Sequence, residues 1–189
     1  MARIRYPDPE NLSPATTATL EAIPDANIFR LLAQADGSLS QFVALTLSLW
    51  NDAELSARRR ELTILLVARL ADCDYEWYQH EAVARASGVS EEEIAALREL
   101  DLGGFDDGEQ AMLALARTTF ERGRPSDEEL AAARSALSDR EIVEMQLLVA
   151  VYAGLAAIMI GLDVELDETL GADQLEQDEE GIQGPRLDG

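Results

Sequence analysis

The chain has 189 residues, enough for one domain with a substantial core, and a formal net charge of −22. That charge excludes nucleic-acid binding as a function class, because the phosphate backbone would be repelled. Every basic residue is Arg, and the absence of Lys excludes Schiff-base chemistry and a P-loop lysine.

The termini and the cysteine usage predict a cytoplasmic protein without a membrane partner. The first residues, MARIRYPDPENLSP, lack the apolar segment of a signal peptide. We predict that no apolar run is long enough to cross a bilayer. A single Cys cannot form an intramolecular disulfide, which fits a reducing compartment.

The first part of the chain predicts an extended arm followed by short helices. Pro7 and Pro9 disfavour helix over 1–12. Ser13 is a predicted N-cap with Pro14 at the first helical position, so the arm and first helix together occupy 1–24. Further helices are predicted over 27–35 and 40–50.

The centre of the chain predicts a buried helix and then a new one. Ser56 can cap ARRRELTILLVARLA, whose apolar residues cover most sides of a helix. Asp72 is predicted to cap the next helix, which Gly88 closes, so that Cys73 would lie in its first turn.

The rest of the chain is also helical in pattern and lacks a strand pattern. Helices are predicted to start at Ser90, at Asp106 or Asp107, at Ser126 and at Ser138; the first and last carry the Ser-x-x-Glu capping box. The apolar residues of 142–162 exceed what one buried face needs. We therefore predict an all-α domain over 25–165 and a disordered acidic tail over 166–189.

A faint internal repeat predicts two similar helical hairpins. RELTILLVARLADCDYEWYQH overlays REIVEMQLLVAVYAGLAAIMI and pairs Arg60-Glu61 with Arg140-Glu141. In this overlay the second copy is purely apolar where the first carries Cys, Glu and His. Two buried Ala-Leu helices also resemble each other by default, so coincidence remains an alternative.

The stretch CDYEWYQH contains the only Cys and the only His of the chain. On a helix, Cys73, Glu76 and His80 are three and four positions apart and share one stripe. Glu76 could orient the imidazole and leave its other nitrogen free for proton transfer, and Glu61 could fold back onto the same stripe. Tyr75 points toward the face of Gln79.

Each of these residues also has a structural interpretation. A lone Cys is commonly a small core residue and a lone His a hydrogen-bonded structural one. Glu61 could simply start a helix, as Glu141 does in the apolar copy. Cys73, Glu76 and His80 provide three potential metal ligands, but the chain lacks a second His, so we predict no metal and no cofactor.

The segment RRRELTILLVARLADCDYEWYQHEAVARASGVSEEEIAAL resembles the carboxymuconolactone decarboxylase family, which includes the alkylhydroperoxidase D-like (AhpD-like) proteins. The pattern is an acidic residue, Cys twelve positions later, then Tyr two and His seven positions after the Cys. Glu61, Cys73, Tyr75 and His80 match it. The resemblance implies an all-helical AhpD-like domain that forms homo-oligomers.

The resemblance implies two chemistries. The hydroperoxidases cycle a Cys-x-x-Cys pair, but here the second Cys is Glu76, so that cycle cannot run within one chain. The decarboxylases use acid/base groups on a small lactone carboxylate without a cofactor. We therefore predict a decarboxylase-like enzyme, with His80 as acid/base, Glu76 or Glu61 orienting it, Tyr75 donating a hydrogen bond to substrate and Cys73 lining the pocket.

Two alternatives remain. Cys73 could act as a one-cysteine peroxidase that is reset by an external thiol reductant. The domain could also be a non-catalytic oligomeric scaffold. For the enzyme, an Arg of the run 58–60 could attract a substrate carboxylate, although all three could simply be solvated.

Overall fold

The computed structural model describes residues 2–167, 176–178 and 181–183. After a single 3-10 turn at Pro9–Asn11, the described part is built of α-helices, as predicted. The helices are α1 Pro14–Ala22, α2 Asn27–Leu32, α3 Leu39–Asn51, α4 Ala57–Leu70, α5 Asp74–Ala86, α6 Glu91–Arg98, α7 Asp107–Arg122, α8 Asp127–Arg134 and α9 Asp139–Leu162.

A small hairpin is the one departure from an all-helical chain in the described residues. Strands β1 Glu176–Asp178 and β2 Gly181–Gln183 pair antiparallel, with Glu176 opposite Gln183. Strands of three residues are too short for an alternating pattern to reveal them in the sequence. The predicted disorder of 166–189 otherwise lies largely outside the described residues.

Most predicted helix starts are confirmed because their caps are local hydrogen bonds. The Ser56 side chain accepts from the Arg59 N–H, and the Asp106 side chain accepts from the Glu109 N–H. A Ser at an N-cap satisfies one of the free N–H groups of the first turn. Full capping boxes are present at Ser90, Ser126 and Ser138.

The predicted cap at Asp72 is wrong. Asp72 has a φ of 56° and ends α4 instead, with its N–H donating to Arg69 O and the next N–H, of Cys73, donating to Ala68 O at 2.9 Å. This is a Schellman ending, in which the left-handed residue follows the last turn and Asp tolerates that conformation. Cys73 becomes the N-cap residue of α5 and lies outside its first turn.

Helix α4 lies at the centre of the domain and packs against α5, α6, α7 and α9. All residues of 60–68 are buried, which confirms the predicted burial on most sides. Two of these buried residues, Arg60 and Glu61, are charged. A central helix that carries charges in its buried segment is the element that positions the candidate site.

The overlay of two helical hairpins is not reproduced. Residues 60–80 span α4, the turn at Asp72 and the first half of α5, whereas 140–160 lie within the single helix α9. The second segment lacks a residue that ends the helix where Asp72 ends α4, so its Ala- and Leu-rich sequence continues as one rod.

Helix α9 corrects the prediction about membrane-spanning length. By length and composition it could cross a membrane, with a mean hydropathy of 2.1 over an 18-residue window. A core helix passes the same test, and Met145, Leu148 and Val149 of α9 do lie in the main core. Three large apolar residues of α9 are nevertheless exposed: Val143 at 58%, Leu147 at 40% and Ile160 at 52%.

Candidate active site

Glu61 and His80 form the centre of the site. The Oε2 atom of Glu61, on α4, lies 2.8 Å from Nδ1 of His80, on α5. Burial opposes ionisation of this fully buried carboxyl, but the charges and hydrogen bonds of His80 and Arg60 lower the pKa of Glu61. Glu61 is therefore a buried carboxylate that fixes the orientation of the imidazole.

Arg60 neutralises the charge of Glu61. Its Nε donates to Glu61 Oε1 at 2.9 Å and its Nη1 donates to Trp50 O at 3.1 Å, while the guanidinium stacks on the Trp50 ring at 4.1 Å. Its Nη2 is buried and has no hydrogen-bond partner in the described part of the chain. A buried ion pair needs such supporting contacts, because desolvation of two charges is costly.

Two aromatic residues that the sequence reasoning missed hold the imidazole. The His80 ring meets the Tyr152 ring edge-on at 5.1 Å and lies 6.0 Å from the Trp50 ring. Trp50 Nε1 donates to the Tyr152 hydroxyl oxygen at 3.2 Å. Tyr152 lies in the segment that the overlay treated as purely apolar. A phenol within an Ala- and Leu-rich helix is the sequence feature that could have indicated a role in the site.

The second ring nitrogen of His80 has no hydrogen-bond partner among the described residues. Its side chain is 13% exposed. Nδ1 is occupied by Glu61, and Nε2 makes no hydrogen bond to residues 2–167. When a carboxylate holds Nδ1–H, Nε2 carries the lone pair and can accept a proton.

Glu76 lies one helical turn before His80 but is not its partner. Its side chain is 3% exposed, and neither of its carboxyl oxygens has a hydrogen-bond partner among the described residues. Burial alone raises the pKa of Glu76 to about 9. Between the two predicted orienting carboxylates, the geometry selects Glu61 and leaves Glu76 as a buried neutral acid.

Cys73 adjoins a cavity that His80 does not line. It is 2% exposed, and burial raises the pKa of its thiol to about 11, although the N–H groups of Glu76 and Tyr75 oppose this shift. A cavity of about 220 Å³ adjoins it, lined also by Trp77, Arg69 and Arg98 but not by His80. Thiol and imidazole therefore do not line the same described cavity.

Tyr75 faces away from His80. Its hydroxyl donates to the Asp167 carboxylate and accepts from the Ile28 N–H at 3.3 Å. Gln79 also reaches Asp167, which confirms the predicted shared face. Because both hydrogen-bonding functions of the Tyr75 hydroxyl are used, the geometry does not support its predicted contact with substrate.

Within the Arg run 58–60, Arg58 and Arg59 have structural roles, and only Arg60 belongs to the candidate site. Arg58 binds Glu93 and Glu109 at 2.5 and 2.8 Å, and Arg59 binds Glu141 at 3.0 Å. These two guanidinium groups join α4 to its neighbours through ion pairs. Neither is a solvated cation that is free to attract a substrate carboxylate. Within 2–167 the structure holds no cluster of three His, Cys, Asp or Glu side chains suited to a metal ion.

Comparison with known proteins agrees with the motif and the fold. Residues 38–118 match the model of the carboxymuconolactone decarboxylase family. Curated protein sequences yield no match.

Solved structures share the fold at low sequence identity. A peroxidase-related protein with an alkylhydroperoxidase AhpD core, from Ralstonia eutropha JMP134, has a TM-score of 0.79 at 16% identity, covering 88% of this chain and 93% of that one. A peroxidase-related protein from Silicibacter sp. TM1040 has a TM-score of 0.76 at 18% identity, covering 88% and 92%.

A third similar structure is the debrominase Bmp8, as a variant in complex with 2,3,4-tribromopyrrole. Its TM-score is 0.67 at 14% identity, covering 88% of this chain and 91% of that one. Likeness at these identities establishes the AhpD-like fold, and the family match over 38–118 adds the sequence pattern. Residues 38–118 thus match the carboxymuconolactone decarboxylase family model, and the chain has an AhpD-like helical fold.

Proposed function

We propose that the protein is a cofactor-free acid/base enzyme of the carboxymuconolactone decarboxylase type, acting on a small lactone or carboxylate. The observation that supports this most directly is the 2.8 Å contact between buried Glu61 and His80, which leaves Nε2 of the imidazole open. Positioned His side chains are the most frequent general acid/base groups near neutral pH.

The proposed reaction needs only proton movements. Nε2 of His80 removes a proton from the substrate, and the Glu61 carboxylate stabilises the resulting imidazolium. Once a bonding electron pair of the substrate has moved onto a substrate carbon, the imidazolium returns the proton to that carbon. In a decarboxylation, the electron pair of the broken C–C bond takes up the proton, and CO₂ leaves.

A one-cysteine peroxidase is the second candidate, favoured by the two peroxidase-related neighbours. The Cys73 thiolate would attack the O–O bond of hydrogen peroxide, giving a sulfenic acid and a hydroxide ion that takes up a proton from the solvent. Two equivalents of an external thiol would then return the sulfenic acid to the thiol, giving an external disulfide and water. The raised pKa of about 11 leaves the buried Cys73 mostly as an unreactive thiol at neutral pH. A non-catalytic scaffold, the third candidate, would not need the open nitrogen of His80.

Substitution of His80 and of Cys73 separates these candidates. We expect His80→Gln to lower turnover of a neutral γ-lactone about 10²- to 10⁴-fold, because the general base is lost. Cys73→Ser should retain turnover. The same variants are assayed for hydrogen peroxide consumption with dithiothreitol. Full lactone turnover by His80→Gln contradicts the acid/base proposal, and peroxide turnover that depends on Cys73 supports the peroxidase.

We also propose that the protein works in the cytoplasm as a homo-oligomer that packs through α9. The exposed residues Val143, Leu147, Ala150, Gly154 and Ala157 follow spacings of four and three and form one stripe. Small residues in such a stripe allow close approach of a second helix. Covering the stripe would bury its exposed apolar surface.

Oligomer formation is tested by a charge in the α9 stripe. We expect Leu147→Glu to shift the protein to a monomer in size-exclusion chromatography with light scattering, because an interface would bury the new charge. Ala131→Glu, on an exposed position of α8, is the charge-matched control. An unchanged mass for Leu147→Glu would mean that α9 is not the interface.

A further inference from the structure

We propose that the Glu76 carboxylic acid and the Tyr152 hydroxyl form an oxyanion-binding pair beside His80. This assigns the substrate as a neutral lactone or ketone that is enolised. The inference rests on the proposed acid/base role of His80 and adds the group that stabilises negative charge on the substrate. The two side chains of the pair, Glu76 and Tyr152, are not hydrogen-bonded to Glu61 or Arg60.

Among the described residues, Glu76 has no acceptor for the O–H of its carboxylic acid. It precedes His80 by four positions on α5, so both side chains project from one face of the helix. Its two buried oxygens make no hydrogen bond within 2–167. A buried carboxyl without a cationic partner stays protonated, and its O–H must then find an acceptor, which a ligand oxygen provides.

Tyr152 has the same unused capacity. Its oxygen accepts from Trp50 Nε1, while the phenolic hydrogen has no acceptor among the described residues. Burial, together with the nearby charges of Glu61 and Glu76, raises the pKa of Tyr152, so the hydroxyl stays protonated. The 5.1 Å ring contact places the phenol beside His80, and Glu76 lies one helical turn before that His on α5.

The resulting step balances without a cofactor. His80 Nε2 takes the proton from the carbon next to the carbonyl, the C–H electron pair forms a carbon–carbon double bond, and the carbonyl π pair moves to oxygen. Glu76 and Tyr152 donate hydrogen bonds to that oxygen. A protonated carboxylic acid paired with a Tyr hydroxyl is an established way to stabilise an enolate.

The charges around the site favour a neutral substrate. Arg58 and Arg59 are engaged by Glu93, Glu109 and Glu141, so they are not free to bind a substrate carboxylate. Arg60 is balanced by Glu61. An additional anion would meet the Glu61 carboxylate and a chain with a net charge of −22, whereas a neutral carbonyl would meet hydrogen-bond donors.

The test compares Glu76→Gln with Glu76→Leu, because only Gln keeps a hydrogen-bond donor. The probes are 4-nitrophenolate, as a stable oxyanion followed by its visible absorbance, and α-angelica lactone, whose isomerisation is followed by ultraviolet absorbance. We expect Glu76→Leu to weaken 4-nitrophenolate binding by about tenfold and to slow isomerisation about 10²-fold or more. Glu76→Gln should lower the affinity for 4-nitrophenolate and the isomerisation rate by less than tenfold each.

The pH profile adds a readout that a structural role would not change. Glu76 interacts electrostatically with the Tyr152 phenol on α9 and with the Cys73 thiol before α5, and His80 follows it by one turn on α5; Glu61 and Arg60 on α4 act on the same Tyr152 phenol. Wild-type isomerisation should decline above about pH 9, where Glu76 ionises, and this decline should be absent from Glu76→Gln.

Two outcomes overturn the inference: Glu76→Leu behaves as wild type with both probes, or Glu76→Gln is as inactive as Glu76→Leu. His80→Gln separates this result from the proposed function, because it should abolish isomerisation but still bind 4-nitrophenolate. If His80→Gln isomerises the lactone normally, the proposed function fails, and phenolate binding still tests the oxyanion pair. Thermal unfolding of each variant shows that the comparison is between folded proteins.

Discussion

Replacing Glu61 by Gln is expected to destabilise the protein by about 3–5 kcal/mol, because it leaves a buried Arg60 charge without its partner. The amide would also be unable to stabilise an imidazolium on His80, so turnover should fall with stability. Urea unfolding at pH 7 measures the first effect, and steady-state kinetics on the lactone measures the second. Among the single substitutions that we propose, only Glu61→Gln is expected to lower both stability and turnover.

The control is the double variant Arg60→Met, Glu61→Gln. Removing both charges should recover most of the stability, since the buried ion pair is replaced by neutral groups, while turnover stays low. Equal stability of wild type and Glu61→Gln would show that Arg60 does not depend on Glu61.

The pH dependence of stability should follow the Glu61 pair. The pKa of Glu61 in the folded protein lies below its ordinary value of 4.5, so its contribution is present above that pH. As the pH falls through the folded-state pKa, Glu61 takes up a proton and the contribution is lost. The Gln variant should lack this part of the acid transition.

Replacing Glu76 by Leu is expected to stabilise the protein by about 1–3 kcal/mol at pH 8, because it removes a buried polar group without a partner. The pKa of Glu76 is about 9 when folded, against an ordinary value of 4.5. The folded protein therefore holds this proton more tightly than the unfolded chain, and stability falls as the pH rises from 4.5 to 9. The stability that Glu76→Leu gains over the wild type should therefore increase as the pH rises from 4.5 to 9.

Glu144 provides a matched control for this measurement. It is also a buried glutamate, but it accepts from the Leu55 N–H at 2.9 Å and from Arg140 Nε at 2.7 Å. Glu144→Leu should therefore destabilise the protein, in contrast to Glu76→Leu. If urea unfolding gives the same sign for both variants, Glu76 has a stabilising partner in solution and is not a free acid.

A stabilising substitution that removes activity would identify Glu76 as a functional residue. A buried carboxyl without a partner costs stability, and an apolar residue would fit the same place. Its position, one turn before the only His of the chain, fits the proposed oxyanion-binding role. By the motif resemblance, Glu76 stands at the position of the second cysteine of the hydroperoxidase pattern.

The sequence by itself determined most of the helix starts and the candidate residues of the site. Ser56, Ser90 and Ser138 mark helix starts correctly because a cap is a hydrogen bond across only three residues. The motif likewise names Glu61 and His80, since its spacing survives in the linear chain. Local interactions of this kind can be read without knowing how the helices pack.

The tertiary structure alone decided which groups meet. It chose Glu61 over Glu76 as the partner of His80, and it brought Trp50 and Tyr152 against the imidazole from helices distant in sequence. These outcomes depend on how α3, α5 and α9 pack around α4, and side-chain spacing along one helix carries no record of that packing.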